Sequence, residues 1–354
     1  MSSTSTQLAP VRNTTMPYVN LGSSGLRISR IILGCMSYGS KRWQEWNLEG
    51  DEAMEHVKHA YDAGIQTFDT ANTYSNGLSE VLLGKAIKKY NLPRDEIVVM
   101  TKCYFTVRRN PEDQMYMDPT LPEKNGYVNQ FGLSRKHIFD SVKRSLERLQ
   151  LDYIDVLQCH RFDYNTPIAE TMQALHDVVK AGYVRYIGMS SCFAWQFCLM
   201  QNYAISHNLT PFISMQNHYN IVYRQEEVEM MSALKHYGVS SIPWSPLARG
   251  LVCRPQSEKT VRSQTDFWEN PYTSEANPEI IRRIEEVAKK RGFSMAQVSF
   301  LWVSNKNPVA APIIGATKLK NLDELIAVVN EKLTEEEMKY LEEPYKQIPT
   351  LGHW

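Results

Sequence analysis

The sequence predicts an α/β protein in which eight strand–helix units close into a (β/α)8 TIM barrel. Strand-like runs alternate with helical runs eight times within about 300 residues, which favours a closed barrel over an open doubly wound sheet. Most strand-like runs are almost continuously apolar, as expected for parallel strands that are buried on both faces. No repeat or linker indicates a second domain, so we expect one barrel domain over residues 17–354 after a disordered tail over residues 1–16.

A β-hairpin is expected before the first strand–helix unit. The stretch "YVNLGSSGLRIS" turns on Gly-Ser-Ser-Gly and is expected to close the bottom of the barrel. A helical segment follows each of the barrel strands. These strands are predicted at residues 30–36, 65–71, 96–102, 152–160, 184–191, 212–219, 239–246 and 309–316.

Two connections between these units are long, at residues 103–133 and 247–278. Both follow predicted strands, so both are expected at the C-terminal mouth of the barrel, where barrel enzymes keep their active sites. Loops of this length without regular structure are uncommon and often functional. Both contain aromatic side chains, which favours an apolar or aryl substrate.

The composition excludes several classes of function. The chain has 39 Lys and Arg and 39 Asp and Glu, so no net charge attracts nucleic acid or an anionic membrane. No apolar run reaches the roughly 18 residues of a membrane span, and the polar N-terminus has no apolar signal core, so a cytoplasmic protein is expected. The six cysteines are scattered without C-x-x-C pairs, which favours reduced thiols. No cluster has metal-ligand spacing, so no metal site is predicted.

Polar residues end three consecutive predicted strands. Asp69 lies at the end of the second strand, Lys102 at the end of the third and His160 at the end of the fourth, and Tyr74 follows just after Asp69. Because parallel strands end at one edge, these side chains are expected to meet in a small volume. An ammonium near a phenol favours its phenolate, a carboxylate holds the ammonium, and an imidazole can orient a carbonyl oxygen. The set is suited to protonating a carbonyl oxygen while hydride reaches the carbon.

The stretch "GIQTFDTANTYSNGLSEVLLGKAI" at residues 64–87 resembles the signature of the aldo-keto reductase superfamily, G-x-x-x-F-D-T-A-x-x-Y-G-x-G-x-S-E-x-x-L-G. Later motifs follow in the family's order, so the resemblance covers the chain from about residue 18 to residue 330. It implies a (β/α)8 barrel that binds NADP(H) in an extended pose. It also implies Tyr74 as the general acid, Asp69 and Lys102 as the pair that tunes it, and His160 as the residue that orients the substrate.

The cofactor segments are also implied by resemblance, because the chain has no G-x-G-x-x-G Rossmann motif. "IGMSSC", "PWSPLARGLV" and "PIIGATKLKNLDEL" resemble the family's nicotinamide, pyrophosphate and adenosine segments. Trp244 is expected to stack on the nicotinamide ring, and Arg262 to reach the phosphates from the long seventh loop. The implied NADP(H) contacts are Met36, Asp69, Ser190, Ser191, Gln216, Trp244, Ser245, Pro246, Leu247, Ala248, Gly250, Arg262, Gly315, Thr317, Lys318, Asn321 and Glu324.

In the cofactor segments, several positions depart from the family pattern. Ser191 stands where the family usually has Asn, Asn321 where it has Gln, and Leu325 where it has Asn. These departures weaken the correspondence at the nicotinamide carboxamide and at the adenine.

The combined interpretation is a cytoplasmic NADP(H)-dependent aldo-keto reductase that reduces small aldehydes or ketones to alcohols. Trp43, Trp46, Tyr104 and Trp195 are expected to line the substrate pocket. The first alternative is an NADP(H)-binding regulatory protein that resembles the potassium-channel β subunits, which typically lack a His at the fourth strand end. The second is an aldolase that forms a Schiff base on Lys102. The presence of His160 favours the reductase, and no oligomeric state is predicted.

Overall fold

The structure, a computed structural model, describes residues 14–115, 117–255, 272 and 274–353. A β-hairpin of β1 (Tyr18–Asn20) and β2 (Arg27–Ser29) precedes the barrel, and its strands pair antiparallel, with Tyr18 opposite Ser29. The hairpin turn lies against the start of two barrel strands. A Cβ on Gly22 would come within 2.6 Å of the Ile213 carbonyl oxygen and 2.8 Å of the Gly238 carbonyl oxygen. This close approach requires glycine, and it confirms the hairpin at the bottom of the barrel.

Eight parallel strands form the central sheet of the described chain. Their order around the sheet follows the sequence, except that the last strand pairs with the first. The two ends are joined by the Ala310 N–H, which donates to the Ser241 carbonyl at 2.9 Å, and by the Ile313 N–H, which donates to the Pro243 carbonyl at 2.9 Å. The predicted (β/α)8 barrel is therefore confirmed. The strands are β3 (Ile32–Gly34), β4 (Thr67–Asp69), β5 (Val98–Cys103), β6 (Ile154–Cys159), β7 (Val184–Ser190), β8 (Phe212–Gln216), β9 (Ser240–Ser241) and β10 (Ile313–Ile314).

The strands are shorter than the apolar runs that predicted them. The seventh and eighth are the shortest, with two paired residues each. Prolines at 243 and 246 follow β9, and prolines at 308 and 312 precede β10. Proline has no N–H to donate to a ladder, so regular pairing is limited at these positions.

Helices surround the sheet and cover its outer face. α2 begins directly after the turn Tyr74–Gly77, so its N-terminus lies at the mouth of the barrel. The described helices are α1 (Gly50–Asp62), α2 (Leu78–Lys89), α3 (Leu121–Lys124), α4 (Arg135–Leu149), α5 (Ile168–Lys180), α6 (Ala194–Ser206), α7 (Met230–Tyr237), α8 (Asn277–Arg291), α9 (Met295–Ser304), α10 (Leu319–Ile326) and α11 (Glu335–Glu342). None of these helices is long and apolar enough to cross a membrane.

The buried apolar residues form two groups on opposite sides of the sheet. The larger group lies between the strands and the helices. The smaller fills the inside of the barrel, where Met100, Val156 and Ile242 pack with Leu21 and Ile28 of the hairpin. The hairpin therefore closes the bottom of the barrel.

The two long connections follow β5 and β9, as expected for loops at the mouth. The first contains the short helix α3, and the second begins with a 3-10 segment at Ala248–Cys253. The rest of the second, residues 256–271 and 273, lies outside the described residues, and the predicted phosphate ligand Arg262 lies there too. Most of the predicted tail at residues 1–16 is also outside them, and the single-domain assignment stays a prediction.

Candidate active site

The ends of three neighbouring strands bring the predicted catalytic residues together. Asp69 is the last residue of β4, Lys102 lies one residue before the end of β5, and His160 follows β6 directly. These strands are adjacent in the sheet, and Lys102 pairs in register with Gln158. Tyr74 follows β4 after a short turn. The expectation that parallel strand ends would converge on one volume therefore holds for all four side chains.

Lys102 is at the centre of the group and is fully buried. Its ammonium donates to Asp69 Oδ2 at 2.6 Å, to the Thr70 carbonyl at 2.8 Å and to the Tyr74 hydroxyl at 3.3 Å. Burial acts to lower the pKa of Lys102, but the charges of Asp69 and Tyr74 and their hydrogen bonds raise it more, so the net direction is upward. The lysine therefore stays an ammonium, aimed at the phenol oxygen.

The ammonium next to Tyr74 was expected to lower the pKa of the phenol, but the net shift is upward. Burial raises the pKa of Tyr74, Lys102 lowers it, and the result lies above the ordinary value of 10.0. Desolvation outweighs the nearby ammonium because the phenolate would lose most of its hydration. Tyr74 is therefore held as a neutral phenol, which is the form that can donate a proton.

Two glutamines that share the other oxygen of Asp69 complete the buried network. Gln158 Nε2 donates to Asp69 Oδ1 at 2.9 Å, and Gln216 Nε2 donates to the same oxygen at 2.8 Å. Gln216 also donates to Gln158 Oε1 at 2.8 Å. The sequence analysis did not identify Gln158. Its signal was a polar residue two positions before His160, hence on the same face of an otherwise apolar strand.

His160 lies beside the phenol and is kept neutral. Its ring meets the Tyr74 ring edge-on with centroids 5.8 Å apart, and the Phe105 ring at 5.1 Å. Burial, then the charges of Arg161 and Lys102, lower the pKa of His160 well below 6.5. Its Nδ1 is buried without a hydrogen-bond partner among the described residues. One nitrogen of the imidazole is therefore not used by the contacts of the described residues, and the ring lines the groove beside Tyr74.

Arg161 is a second residue that the sequence analysis missed. It is buried, its Nη1 donates to the His160 carbonyl at 2.6 Å, and its guanidinium lies 5.6 Å from the centre of the Phe105 ring. Burial lowers the pKa of Arg161 to about 10. The sequence feature that could have identified Arg161 is its place directly after His160 at the end of an apolar strand. Its positive charge contributes to keeping His160 neutral.

A continuous groove of about 710 Å3 runs across the mouth from these residues, within the usual range for ligand sites. Tyr74, Asp69 and His160 line one part of it, together with Trp43 and Trp46. The predicted cofactor residues that line the groove are Met36, Asp69, Ser190, Gln216, Trp244, Ser245, Pro246, Leu247, Gly250, Gly315, Thr317, Lys318, Asn321 and Glu324.

Two residues predicted for the cofactor do not line the groove. Ser191 accepts a hydrogen bond from Trp244 Nε1 at 2.9 Å, so it positions the indole instead. Ala248 belongs to the loop that follows β9, and its side chain is buried. The same indole stacks on His218 at 3.9 Å with the planes 13° apart. His218 carried no sequence signal, because its partner is 26 residues away along the chain.

Two residues predicted for the substrate pocket lie elsewhere. Tyr104 is buried against Phe105 and Phe131, with ring centroids 5.0 and 4.7 Å away, and is not part of the groove. Trp195 lies on the outside of α6 and is 53% exposed. The helix is apolar on both faces, so its sequence pattern did not indicate which side faces the barrel. Met115 and Met117, which were not predicted, line the groove instead.

The end of the groove away from Tyr74 has the features of an anion site. Ser245, Ala248, Arg249 and Gly250 have left-handed backbone conformations, with φ between 47° and 96°. Turns of this kind can form a concavity that favours anions, and here the Ala248 and Gly250 N–H groups donate within the loop, to the Ser245 and Leu247 carbonyls. Arg249, Arg254 and Lys318 add positive charge to the lining. The donors present therefore fit an elongated ligand that carries phosphates.

Comparison with known proteins agrees with this geometry. A profile of the aldo/keto reductase family matches residues 30–346. The chain is 48% identical to versiconal hemiacetal acetate reductase of Aspergillus parasiticus over 343 residues, which cover 96% of this chain and 99% of that protein. It is 46% identical over 352 residues to an aldo-keto reductase of Fusarium vanettenii, covering 97% of this chain and 95% of the relative.

A third relative comes from Schizosaccharomyces pombe and has a name that assigns it provisionally to the aryl-alcohol dehydrogenases. It is 48% identical over 347 residues, which cover 95% of this chain and 97% of the relative. All three relatives match over nearly their whole length.

Proposed function

Since the chain belongs to the aldo/keto reductase family, we propose that it is an NADP(H)-dependent reductase in which Tyr74 is the proton donor. Its substrates are aldehydes or ketones, and its products are alcohols. The observation that supports this most is the Lys102 ammonium, which lies 3.3 Å from the Tyr74 oxygen and 2.6 Å from Asp69 Oδ2. A neutral phenol beside a buried cation is suited to losing a proton at the moment when negative charge develops on a carbonyl oxygen.

The groove would hold the dinucleotide across the mouth of the barrel. Trp244, Ser190 and Gln216 would hold the nicotinamide end, the loop from Ser245 to Gly250 would hold the pyrophosphate, and α10 with the residues before it would hold the adenosine end. Bound NADPH supplies a hydride for the carbonyl carbon. The chain's own side chains donate the proton, stabilise the resulting charge and orient the carbonyl oxygen.

Those side chains have distinct roles in the proposal. Tyr74 gives its proton to the carbonyl oxygen, and the resulting phenolate is stabilised by the Lys102 ammonium until a proton returns from water. Asp69 holds that ammonium charged and oriented, and the two glutamines hold Asp69. His160, which is neutral and lines the groove, orients the carbonyl oxygen by a hydrogen bond.

The lining of the groove near Tyr74 favours an apolar or aryl carbonyl compound. Trp43 and Trp46 are buried there, and Met115 and Met117 are close by. Aromatic and thioether side chains bind flat apolar groups well. The relative from Schizosaccharomyces pombe whose name refers to aryl alcohols is consistent with this substrate class.

NADPH is proposed as the preferred nucleotide. Arg249, Arg254 and Lys318 line the groove. Arg262 belongs to the same connection as Arg249 and Arg254, in a part that lies outside the described residues. Charge-assisted contacts to a phosphate are the strong class of hydrogen bond, so one or two are enough to select the 2′-phosphate. A single barrel domain over residues 17–354 and a cytoplasmic location complete the proposal, and both derive from the sequence.

The test is a screen of NADPH oxidation with aryl aldehydes, aliphatic aldehydes, diketones and sugars, repeated with NADH. The expected result is turnover with at least one carbonyl class, fastest with aryl aldehydes. Nucleotide binding is measured in parallel from the fluorescence of Trp244. Tight NADPH binding without turnover of any carbonyl would contradict the reductase and support the regulatory alternative, which resembles the potassium-channel β subunits.

A further inference from the structure

The turn that carries Tyr74 has an unusual backbone. Ser75 has φ 45° and ψ 39°, Asn76 has φ 50° and ψ 47°, and Gly77 has φ 94°. Three consecutive left-handed residues are strained unless the surroundings hold them, and for Ser75 the strain is greater than for asparagine or glycine. The family signature has glycine where this chain has Ser75. A side chain that persists in such a conformation needs contacts that hold it there.

Ser75 makes such contacts with the first mouth loop, which we define as residues 35–49. Its Oγ accepts hydrogen bonds from the Ser40 N–H at 3.1 Å and from Asn47 Nδ2 at 3.3 Å. Ser75 is fully buried, and a Cβ on Gly39 would lie 2.0 Å from its oxygen. The loop therefore approaches the Ser75 side chain as closely as glycine permits. Trp43 and Trp46 belong to the same loop and line the groove near Tyr74. We call this part, where the substrate carbonyl would lie, the carbonyl end of the groove.

Asn76 makes matching contacts with the second mouth loop, defined as residues 104–115. Its Nδ2 donates to the Asn110 carbonyl at 2.9 Å and to the Asp113 carbonyl at 2.7 Å. Its Oδ1 accepts from the Arg108 N–H at 2.9 Å. One asparagine side chain thus uses both its donor and its acceptor to hold the loop that contains Met115.

The two mouth loops are also joined to each other. Gln114 Nε2 donates to the Trp43 carbonyl at 2.8 Å, and Arg42 Nη1 lies 3.2 Å from Glu112 Oε1. The turn and the two loops therefore form a closed set of contacts around the carbonyl end of the groove. The turn that precedes α2 is thus bonded to both loops.

We propose that Ser75 and Asn76 are positioning residues, which hold the Tyr74 phenol in place by tying its turn to the two mouth loops. The inference rests on the proposed role of Tyr74 as the proton donor. It makes the placement of the phenol depend on the same loops that enclose the carbonyl compound. A proton donor misplaced by about 1 Å can lose roughly 100-fold in rate, so tethers at this turn have a measurable effect.

The test uses Asn76→Gly and Ser75→Gly, because glycine adopts the left-handed conformation without strain and removes only the side-chain contacts. Asn91→Gly is the matched control. Asn91 also has a left-handed backbone, with φ 49°, but it is exposed at the opposite end of α2. Thermal melting and circular dichroism establish that each variant is folded, and the two tether variants are tested independently.

The expected result is a loss in kcat/KM of at least ~10-fold for Asn76→Gly. Ser75→Gly should lose less, because it installs the glycine of the family signature and relieves the strain of the turn while removing the contacts of the Ser75 hydroxyl. The Kd for NADPH should change less than about 2-fold, since neither side chain lines the cofactor segments. Asn91→Gly should match the unmodified protein. Unchanged kcat/KM in Asn76→Gly would overturn the inference.

A double-mutant cycle separates a positioning role from a general structural one. If Asn76 acts through Tyr74, then Asn76→Gly should cause less than about a 2-fold further loss in a Tyr74→Phe background. An equal loss in both backgrounds would overturn the inference and leave the proposed function intact. Full turnover in Tyr74→Phe alone would overturn both the proton-donor role and the tether that depends on it.

Discussion

The ammonium of Lys102 lies 3.3 Å from the phenol oxygen of Tyr74, although Lys102 lies in β5, Tyr74 follows β4, and the two are 28 positions apart. The ammonium has no exposed surface, so solvent screens its effect on the phenol only weakly. Burial nevertheless outweighs this charge and keeps the phenol protonated. This arrangement suits a proton donor, because Tyr74 stays a neutral phenol before the reaction and its phenolate is stabilised by Lys102 after the proton has left.

Tyr74→Phe should fold normally, bind NADPH and reduce carbonyl compounds at least ~100-fold more slowly, the usual range for the loss of a positioned general acid. Phenylalanine keeps the ring, so only the proton donor is removed. Asp69→Asn should have a smaller effect, because it weakens the hold on Lys102 without removing the proton. Single-turnover rates and the NADPH Kd are the measurements. Wild-type single-turnover chemistry in Tyr74→Phe would show that the proton comes from elsewhere.

The pH dependence of carbonyl reduction should be flat over a wide range. The pKa of His160 is well below 6.5, so its imidazole is neutral above that pH, and the pKa of Tyr74 is above 10.0, so its phenol is protonated below that pH. Both residues thus keep their active form between pH 6.5 and 10. The measurement is kcat/KM for reduction across this window. An acid limb abolished by His160→Ala, or an alkaline limb abolished by Tyr74→Phe, would contradict the assigned protonation states.

His160→Ala should lower kcat/KM by at least ~10-fold, mainly for small substrates with few other contacts, because orientation of the carbonyl oxygen is lost. Large aryl substrates should lose less, since Trp43 and Trp46 also position them. Affinity for NADPH should survive. His160→Gln, which keeps a hydrogen-bond donor, is the matched variant and should retain more activity. A large loss of NADPH affinity in His160→Ala would place the residue at the cofactor instead.

Lys318→Met should weaken NADPH binding about tenfold while NADH binding changes little, the scale of one charge-assisted contact to a phosphate. Lys318 is exposed and lines the groove. Lys320→Met is the control, because Lys320 is exposed two residues further on but does not line the groove. Binding is measured by quenching of Trp244 fluorescence. Equal weakening of both nucleotides would argue against selection of the 2′-phosphate by Lys318.

Arg148→Met should destabilise the fold by about 3 kcal/mol, because it leaves a buried carboxylate without its charge partner. Arg148 Nε donates to Glu80 Oε2 at 2.6 Å, and Glu80 has no exposed surface. Urea unfolding measures the loss. Arg282→Met, which removes an exposed arginine from the surface of α8, should leave the midpoint unchanged. An equally small change in both variants would mean that the Glu80 carboxylate is accommodated without Arg148.

The order of apolar runs and their polar ends was enough to predict the barrel and the meeting of Asp69, Lys102 and His160. This works because parallel strands end at one edge, so position along the chain already determines position at the mouth. The hairpin plug was predictable for a similar reason, since its turn residues and its place before the first strand are local properties. The position of Tyr74 near Asp69 could also be predicted, because Tyr74 follows Asp69 by only five residues.

Other features depended on residues that are distant in sequence. The stacking of Trp244 on His218, the sharing of Asp69 by Gln158 and Gln216, and the placement of Trp195 outside the barrel all depend on which faces pack together. An apolar helix such as α6 has no pattern that distinguishes its inner face from its outer one. The hydrogen bonds of Ser75 and Asn76 likewise join a turn to two loops, and the sequence did not indicate these contacts even where it placed a loop at the mouth.

The sequence by itself determined the barrel, the order of its strands and the residue types at the strand ends, because periodicity and strand direction are properties of local chain segments. Only the tertiary structure decided the protonation of Tyr74 and His160. Burial opposes the charges of Lys102 and Arg161 in setting the pKa of Tyr74, whereas burial and both charges together lower the pKa of His160. Desolvation is a property of the whole packed site, and no stretch of sequence specifies how much water a folded chain removes from one side chain.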